Sequence, residues 1–236
     1  MGVQAGLILT LIGACVTAAA AGAGEDPALD RARFAMVERQ LKGRNITDRA
    51  VLLAMGRVPR HRFVPPALAR DAYQDSPLPI GEGQTISQPY IVALMTQLLE
   101  LSGTETVLEV GTGSGYQAAV LAEIVPRVFS IEILPALAES ASARLRSLGY
   151  RSVRVRSGDG YLGWPEEAPF DAVMVTAGAT HVPAPLAAQL REGGRLVIPV
   201  GSTGSQELLV GRKVQGGLRL RAVVPVRFVP LIEPAR

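Results

Sequence analysis

Residues 107–116, Val107-Leu108-Glu109-Val110-Gly111-Thr112-Gly113-Ser114-Gly115-Tyr116, decide the fold. An apolar run from Thr106 to Val110 reads as a buried strand, three alternating glycines break it, and Tyr116 to Val125 then reads as a helix. The glycines let backbone and ligand approach closely. Their spacing is G-x-G-x-G, whereas dinucleotide sites use G-x-G-x-x-G to bring a pyrophosphate onto a helix N-terminus. The difference favours a ligand without phosphates.

Working outward, strand and helix patterns alternate. Val128 to Ile133 is a strand; Leu137, Ala141, Leu145 and Leu148 mark one helical face, closed by Gly149 as a left-handed cap. Val153 to Arg156, Ala172 to Thr176 and Leu196 to Val200 supply further strands, with a helix around Pro185 to Leu190. Such alternation forces right-handed crossovers and a mostly parallel, doubly wound α/β sheet. Glu207 to Gly211 and Leu218 to Phe228, joined by Gln215, Gly216 and Gly217, are expected to pair antiparallel. Before the glycine stretch, Leu29 to Leu41 is a helix stopped by Gly43, Thr47 or Asp48 caps a second through Met55, and Pro59, Pro65 and Pro66 break the chain ahead of Ala67 to Tyr73. Pro77 to Pro89 (PLPIGEGQTISQP) carries too many breakers for a regular element and reads as an ordered loop or short strand. Pro89 suits the first turn of a helix to about Glu100, with Ser87 or Gln88 at its edge.

The 236 residues are 48% hydrophobic with a formal charge of +3, which suits one sizeable core. The expected division is a leader over 1–24 and a single domain over 25–236: helical layer 25–76, loop and helix 77–103, ligand-binding core 104–200, C-terminal strands and tail 201–236. The basic residues are dispersed apart from Arg151, Arg154 and Arg156, a solvated face rather than a nucleic-acid patch. The lone Cys15 excludes a disulfide, a CxxC metal site and a thiol nucleophile in the domain. His61 and His181 lack the partners of a metal site or triad and read as surface or loop residues. Residues 3–21 are charge-free and apolar, like a leader, an anchor or, at Ile12-Gly13-Ala14-Cys15, a lipoprotein box. No Lys or Arg precedes them, and Met36 is an alternative start.

Glu132 closes the second strand about 20 residues past the glycines, where an acid accepts hydrogen bonds from ribose hydroxyls. Asp159, in Gly158-Asp159-Gly160, stands where the crevice at the strand ends would receive an adenine; a turn aspartate is the plainer alternative. Glycine loop, Glu132 and Asp159 together describe a nucleoside pocket.

With those residues in view, the chain from about Arg33 to Leu231 resembles the protein-L-isoaspartate O-methyltransferase family. The resemblance rests on ARFAMVERQL, RVPRHRFVP, LPIGEGQTISQPY, VLEVGTGSGY, the GDG turn, APFDAVMVTA, EGGRLVIPVG and VRFVPL, in that order. It implies a Rossmann-like class I methyltransferase fold and S-adenosylmethionine as cofactor, held by Glu109, Gly111, Thr112, Gly113, Gly115, Glu132, Asp159 and Gly160. It implies Ser87 as the active-site serine, against a bland rival as an N-cap before Pro89, with Thr85, Ile86, Gln88 and Val229 on the substrate. The tail Val226 to Leu231 would fold back near the site; an edge strand is the alternative. The implied reaction methylates the free α-carboxylate of L-isoaspartyl residues in damaged proteins and peptides, as protein repair. No metal or nucleic-acid partner is expected; a monomer in the cytoplasm is, with export or membrane contact through residues 3–21 as the alternative. Rival functions are a methyltransferase of this fold acting on a small molecule or RNA, a nicotinamide-dependent oxidoreductase, and a non-catalytic, membrane-tethered binding protein.

Overall fold

A computed structural model describes residues 26–232. The leader over residues 1–24, Cys15 included, lies outside the described residues. Asp26 caps the first helix, α1 (Pro27–Met36), by accepting the Ala28 N–H, and the chain continues through a wide turn at Val37–Leu41 and a tight one at Lys42–Arg44. Asp48, rather than Thr47, caps α2 (Arg49–Arg57), its carboxylate 2.8 and 3.2 Å from the Ala50 and Val51 amides. Gln97 in α3 (Pro89–Leu98) fastens the two together by accepting the Thr47 and Asp48 amides. Between them, residues 60–63 and 66–71 form tight helical turns.

The stretch 77–89 is a small antiparallel hairpin, β1 (Leu78–Gly81) and β2 (Gln84–Ile86). Its turn, Gly81-Glu82-Gly83, has positive φ at all three residues, which explains why two glycines are needed there. Then come β3 (Thr106–Val110), α4 (Tyr116–Ala122), β4 (Arg127–Glu132), α5 (Pro135–Ser147), β5 (Val153–Ser157), β6 (Phe170–Val175), α6 (Ala184–Gln189), β7 (Leu190–Ser202), β8 (Ser205–Val214) and β9 (Gly217–Val226).

The larger sheet has the order β5-β4-β3-β6-β7-β8-β9. Strands β5 to β7 run parallel; β8 and β9 run antiparallel to their neighbours. The order reverses at β3, since β4 and β5 lie on one side and β6 on the other, and that switch point opens a crevice at the strands' carboxyl ends. β3 is buried at every residue. Val107 packs toward the helical layer with Met55, Val92 and Leu121, while Leu108 and Val110 pack the other way with Phe129, Phe170 and Leu186. Each fully buried Val or Leu contributes roughly 1.5–3 kcal/mol, so this strand is among the least negotiable parts of the core.

Some boundaries differ from the sequence reading. α4 ends at Ala122 because Pro126 lies just ahead. β7 starts at Leu190, six residues earlier than expected: Glu192-Gly193-Gly194 reads as a turn, yet Leu190 pairs with Phe170 across an irregularity in register, and Gly193 absorbs it at φ +77°. His61 is not a surface residue. The turn over 60–63 drives it inward, leaving it 8% exposed with Nδ1 2.7 Å from the Tyr73 hydroxyl; the charged neighbours in RHRF concealed this. Arg154 and Arg156 are paired with Glu167 and Glu166 and lie over Trp164, so their face is partnered rather than merely solvated.

Candidate active site

The glycine loop leaves β3 at the switch point. Gly111 and Thr112 donate backbone N–H groups to the Ile131 carbonyl of β4 at 2.8 and 3.2 Å. Gly111, Gly113 and Gly115 all have positive φ, at +100°, +52° and +88°. Glu132, 5% exposed at the end of β4, accepts the Gly113 N–H at 2.8 Å and the Leu134 N–H at 3.1 Å. One carboxylate therefore ties the loop to the next strand.

Beneath the loop lies a buried polar chain. The Thr112 and Ser130 hydroxyls are 2.6 Å apart, and Ser130 donates in turn to Glu109. Glu109 is wholly buried and its Oε1 has no partner among the described residues. Burial pushes its carboxyl up to about 8; the Ser130 hydrogen bond opposes that and the negative charge of Glu132 adds to it. The folded protein thus holds a proton on Glu109 that the unfolded chain releases near the ordinary carboxyl value of about 4.3. A raised folded pKa makes this contribution most favourable below the unfolded value, and it is lost as pH rises toward 8. The expected result is that wild type loses roughly 1–4 kcal/mol relative to Glu109→Gln between pH 5 and pH 8. Urea midpoints at the two pH values check it, and parallel pH curves for the two proteins would refute it.

The cleft above the loop encloses about 790 Å³ of free space, open mouth included. Thr85, Ile86 and Ser87 approach from the hairpin, Gly111, Thr112, Gly113 and Glu132 from the two strand ends, Gly160 from the turn after β5, and Val229 from the tail. The tail leaves β9 and folds back: Gly178 N–H donates to the Val229 carbonyl and Leu231 N–H to that of Gly178, both at 2.8 Å. The expected fold-back, not an edge strand, is what the chain adopts there. Ser87 does not cap α3. Gln88 holds the cap position without a side-chain hydrogen bond, and the Ser87 hydroxyl makes none among the described residues.

Four expected residues lie off the cleft. Glu109 is sealed below it. Gly115 faces α5, where an added Cβ would come within 3.1 Å of Leu145. Asp159 accepts the Tyr161 N–H at 2.8 Å and caps the turn at 160–162, leaving its neighbour Gly160 on the cleft. Gln88 faces the adjoining groove, which Thr85, Ser87, Thr176 and Val229 share with the cleft.

Sequence reasoning missed Thr176 and Arg60. Thr176 follows β6 beside the switch point, its hydroxyl 2.6 Å from the Gly111 carbonyl and 3.0 Å from that of Val110. Its position at a strand's carboxyl end was the available signal. Arg60 has no exposed surface and donates to the Ala72, Ser87 and Ser76 carbonyls; nothing in RVPRHRFVP marks it out from Arg57 or Arg62.

The donor set discriminates between ligands. Among the described residues no Lys or Arg lines the cleft and Glu132 is its one carboxylate, so a pyrophosphate would find no countercharge from them, whereas a nucleoside carrying a cationic sulfonium is suited. Gly111, Gly113 and Gly160 line the cleft with bare backbone, the cradle such a ligand needs, and packing keeps two of them glycine, since an added Cβ at Gly111 or Gly160 would lie 2.4 Å from Thr176 Oγ1 or Val110 Cγ1 respectively. Residues and cofactor fit. Among the described residues no His, Cys, Asp and Glu cluster suits a metal ion.

Comparison with known proteins agrees with this chemistry. The sequence model of the protein-L-isoaspartate(D-aspartate) O-methyltransferases matches residues 31–236. A protein-L-isoaspartate O-methyltransferase of Opitutus terrae is 56% identical over 223 residues, covering 94% of this chain and 96% of its own. A solved protein-L-isoaspartate O-methyltransferase superposes with a TM-score of 0.75 at 28% identity; the match covers 85% of this chain and 65% of that one. A beta-aspartate methyltransferase structure from Plasmodium falciparum, in complex with S-adenosyl-L-homocysteine, gives a TM-score of 0.74 at 26% identity over 85% of this chain and 98% of its own.

Proposed function

The chain belongs to the protein-L-isoaspartate(D-aspartate) O-methyltransferase family, and from that premise we propose how its cleft carries out the transfer. The enzyme methylates the free α-carboxylate of L-isoaspartyl residues in damaged proteins, using S-adenosylmethionine. In the proposal, Ser87 and Thr85 take the substrate carboxylate, Ile86, Gln88 and Val229 hold the flanking peptide, and Gly111, Thr112, Gly113, Glu132 and Gly160 hold the adenosine. Asp159 supports Gly160 from beside the pocket, and Glu109 and Gly115 support the loop from beneath. The observation that carries this reading is the Ser87 hydroxyl, uncommitted to any cap and shared between the acid-bearing cleft and the open groove.

An isoaspartyl α-carboxylate has a pKa of roughly 3–4 and is anionic at pH 7, so the chain need supply no general base. When bound, S-adenosylmethionine supplies an electrophilic methyl on its sulfonium. The protein's task is to desolvate the carboxylate, donate hydrogen bonds from Ser87 and Thr85 and aim one oxygen along the line of displacement. The Val229–Ile232 tail over the cleft supports the exclusion of water.

The test is methyl transfer to one peptide made with either L-isoaspartate or aspartate at the same position. Base-labile methyl ester on the isoaspartyl form alone is expected, and Ser87→Ala should lower kcat by about 10²-fold with S-adenosylhomocysteine affinity kept. Undiminished turnover by Ser87→Ala would remove Ser87 from the mechanism. The single domain over 25–236, a monomeric state and a cytoplasmic location belong to the same proposal, the location supported by where the methyl donor is made. Among the described residues no helix is long and apolar enough to cross a membrane. Residues 3–21 lie outside them, and mass spectrometry of the mature N-terminus after fractionation decides their fate.

A further inference from the structure

Arg60 is the largest wholly buried side chain among the described residues. Its guanidinium pairs with no carboxylate among them. Instead it fans over three backbone carbonyls, with Nε 2.6 Å from Ala72 O, Nη1 2.8 Å from Ser87 O and Nη2 3.3 Å from Ser76 O. Its Cζ lies 5.1 Å from the centroid of the Tyr116 ring, the first residue of α4 after the glycine loop. Burying a cation is costly, and the offset here comes from the carbonyl dipoles of Ala72, Ser76 and Ser87, the last the candidate catalytic serine itself, with a smaller favourable charge interaction from Asp75. Burial lowers its pKa to about 10, which leaves it charged at neutral pH.

The Ser87 carbonyl is a natural point of control. β2 ends at Ile86 and α3 begins at Pro89 with Gln88 at its cap. Ser87 thus belongs to neither element, and neither the hairpin ladder nor the helix fixes its peptide plane. Among the described residues, the partner of its carbonyl is Arg60. Fixing that plane fixes the direction of the adjacent Cα–Cβ bond, and so the aim of the hydroxyl into the cleft.

We propose that Arg60 is a positioning residue that holds the Ser87 hydroxyl on the substrate carboxylate, linking the substrate loop to the ring that opens α4. It rests on the role given to Ser87 above. Lysine is a point charge and cannot span three carbonyls with a planar fork, so Arg60→Lys keeps the charge and loses the geometry.

The experiment is a double-mutant cycle in the full chain, with Arg60→Lys, Ser87→Ala and the pair assayed for kcat and KM on an isoaspartyl peptide, and for S-adenosylhomocysteine affinity by calorimetry. Arg60→Lys is expected to lower kcat by about 10–100-fold, with affinity for S-adenosylhomocysteine unchanged within about twofold. In the Ser87→Ala background the same substitution should cost less than about threefold. Equal losses in both backgrounds, or a loss of S-adenosylhomocysteine binding matching the loss of kcat, would show a structural role and overturn the proposal. A fully active Ser87→Ala protein overturns the reading of Ser87 and this inference with it, whereas an inactive one with additive losses overturns the inference alone. If Arg60→Lys does not fold, Gln88 is replaced by its α-hydroxy acid analogue, which turns the Ser87 carbonyl into an ester and weakens it as an acceptor while Arg60 stays in place. Lowered kcat with normal S-adenosylhomocysteine affinity is then expected, and unchanged kcat refutes the proposal.

Discussion

Gly111→Ala is expected to lower stability by roughly 2–4 kcal/mol and to abolish measurable binding of S-adenosylhomocysteine. Two separable effects produce this. At φ +100° an L-residue is strained whatever space surrounds it, at roughly 1–2 kcal/mol. The new Cβ would also lie 2.4 Å from Thr176 Oγ1, and that hydroxyl cannot swing away, because it is held against the Val110 and Gly111 carbonyls and its own N–H bonds to Val110 O at 2.9 Å. Either the loop shifts into the cleft or β3 and β6 separate, and both sit in the buried centre of the sheet. Thr176→Ala removes the obstructing oxygen and leaves the strain. The double variant should therefore be more stable than Gly111→Ala alone by about 1 kcal/mol. Urea midpoints of the four proteins measure this, and a double variant no better than the sum of the singles would show that the strain at residue 111 accounts for the whole loss.

The same site shows where sequence reading succeeds and where it stops. The apolar run along 106–110, glycines at 111, 113 and 115 and an acid at 132 are local signals, and each maps onto a definite element because a parallel strand buried on both faces leaves few alternatives. Asp159 was legible only as one of two readings, and both apply to parts of its turn: the side chain caps, and the backbone next to it lines the cleft. The hairpin at 78–86 was half legible, since its breakers signal a turn but its strands are too short to show a period. Arg60 was not legible as a site residue, and Thr176 only through its place at a strand's carboxyl end. Their partners are backbone carbonyls from segments far off in sequence, and a carbonyl has no residue-type signature. Glu109 was expected on the ligand and lies under the loop instead, because a strand alternates its faces and the one that carries Glu109 is packed against the core.

Glu132→Ala is expected to weaken S-adenosylhomocysteine binding by about 10²-fold, near 2.7 kcal/mol, while stability changes much less. Both carboxylate oxygens already accept backbone N–H groups, from Gly113 and Leu134, and each retains a lone pair for a ribose hydroxyl. Removing the carboxylate frees two donors, one of them in the loop that shapes the cleft. Stability is affected mainly through those two N–H groups, because the buried Glu109 carboxyl, pushed up to about 8, keeps its proton at neutral pH and no charge repulsion in the core is altered. Glu132→Gln discriminates anchoring from ligand contact: its amide oxygen accepts one N–H, its amide nitrogen accepts none, and about a tenfold loss of affinity is expected. Calorimetric titration of the three proteins reads these differences directly. Equal affinities for wild type and Glu132→Ala would mean that the carboxylate serves the loop alone and that the ribose is held elsewhere in the cleft.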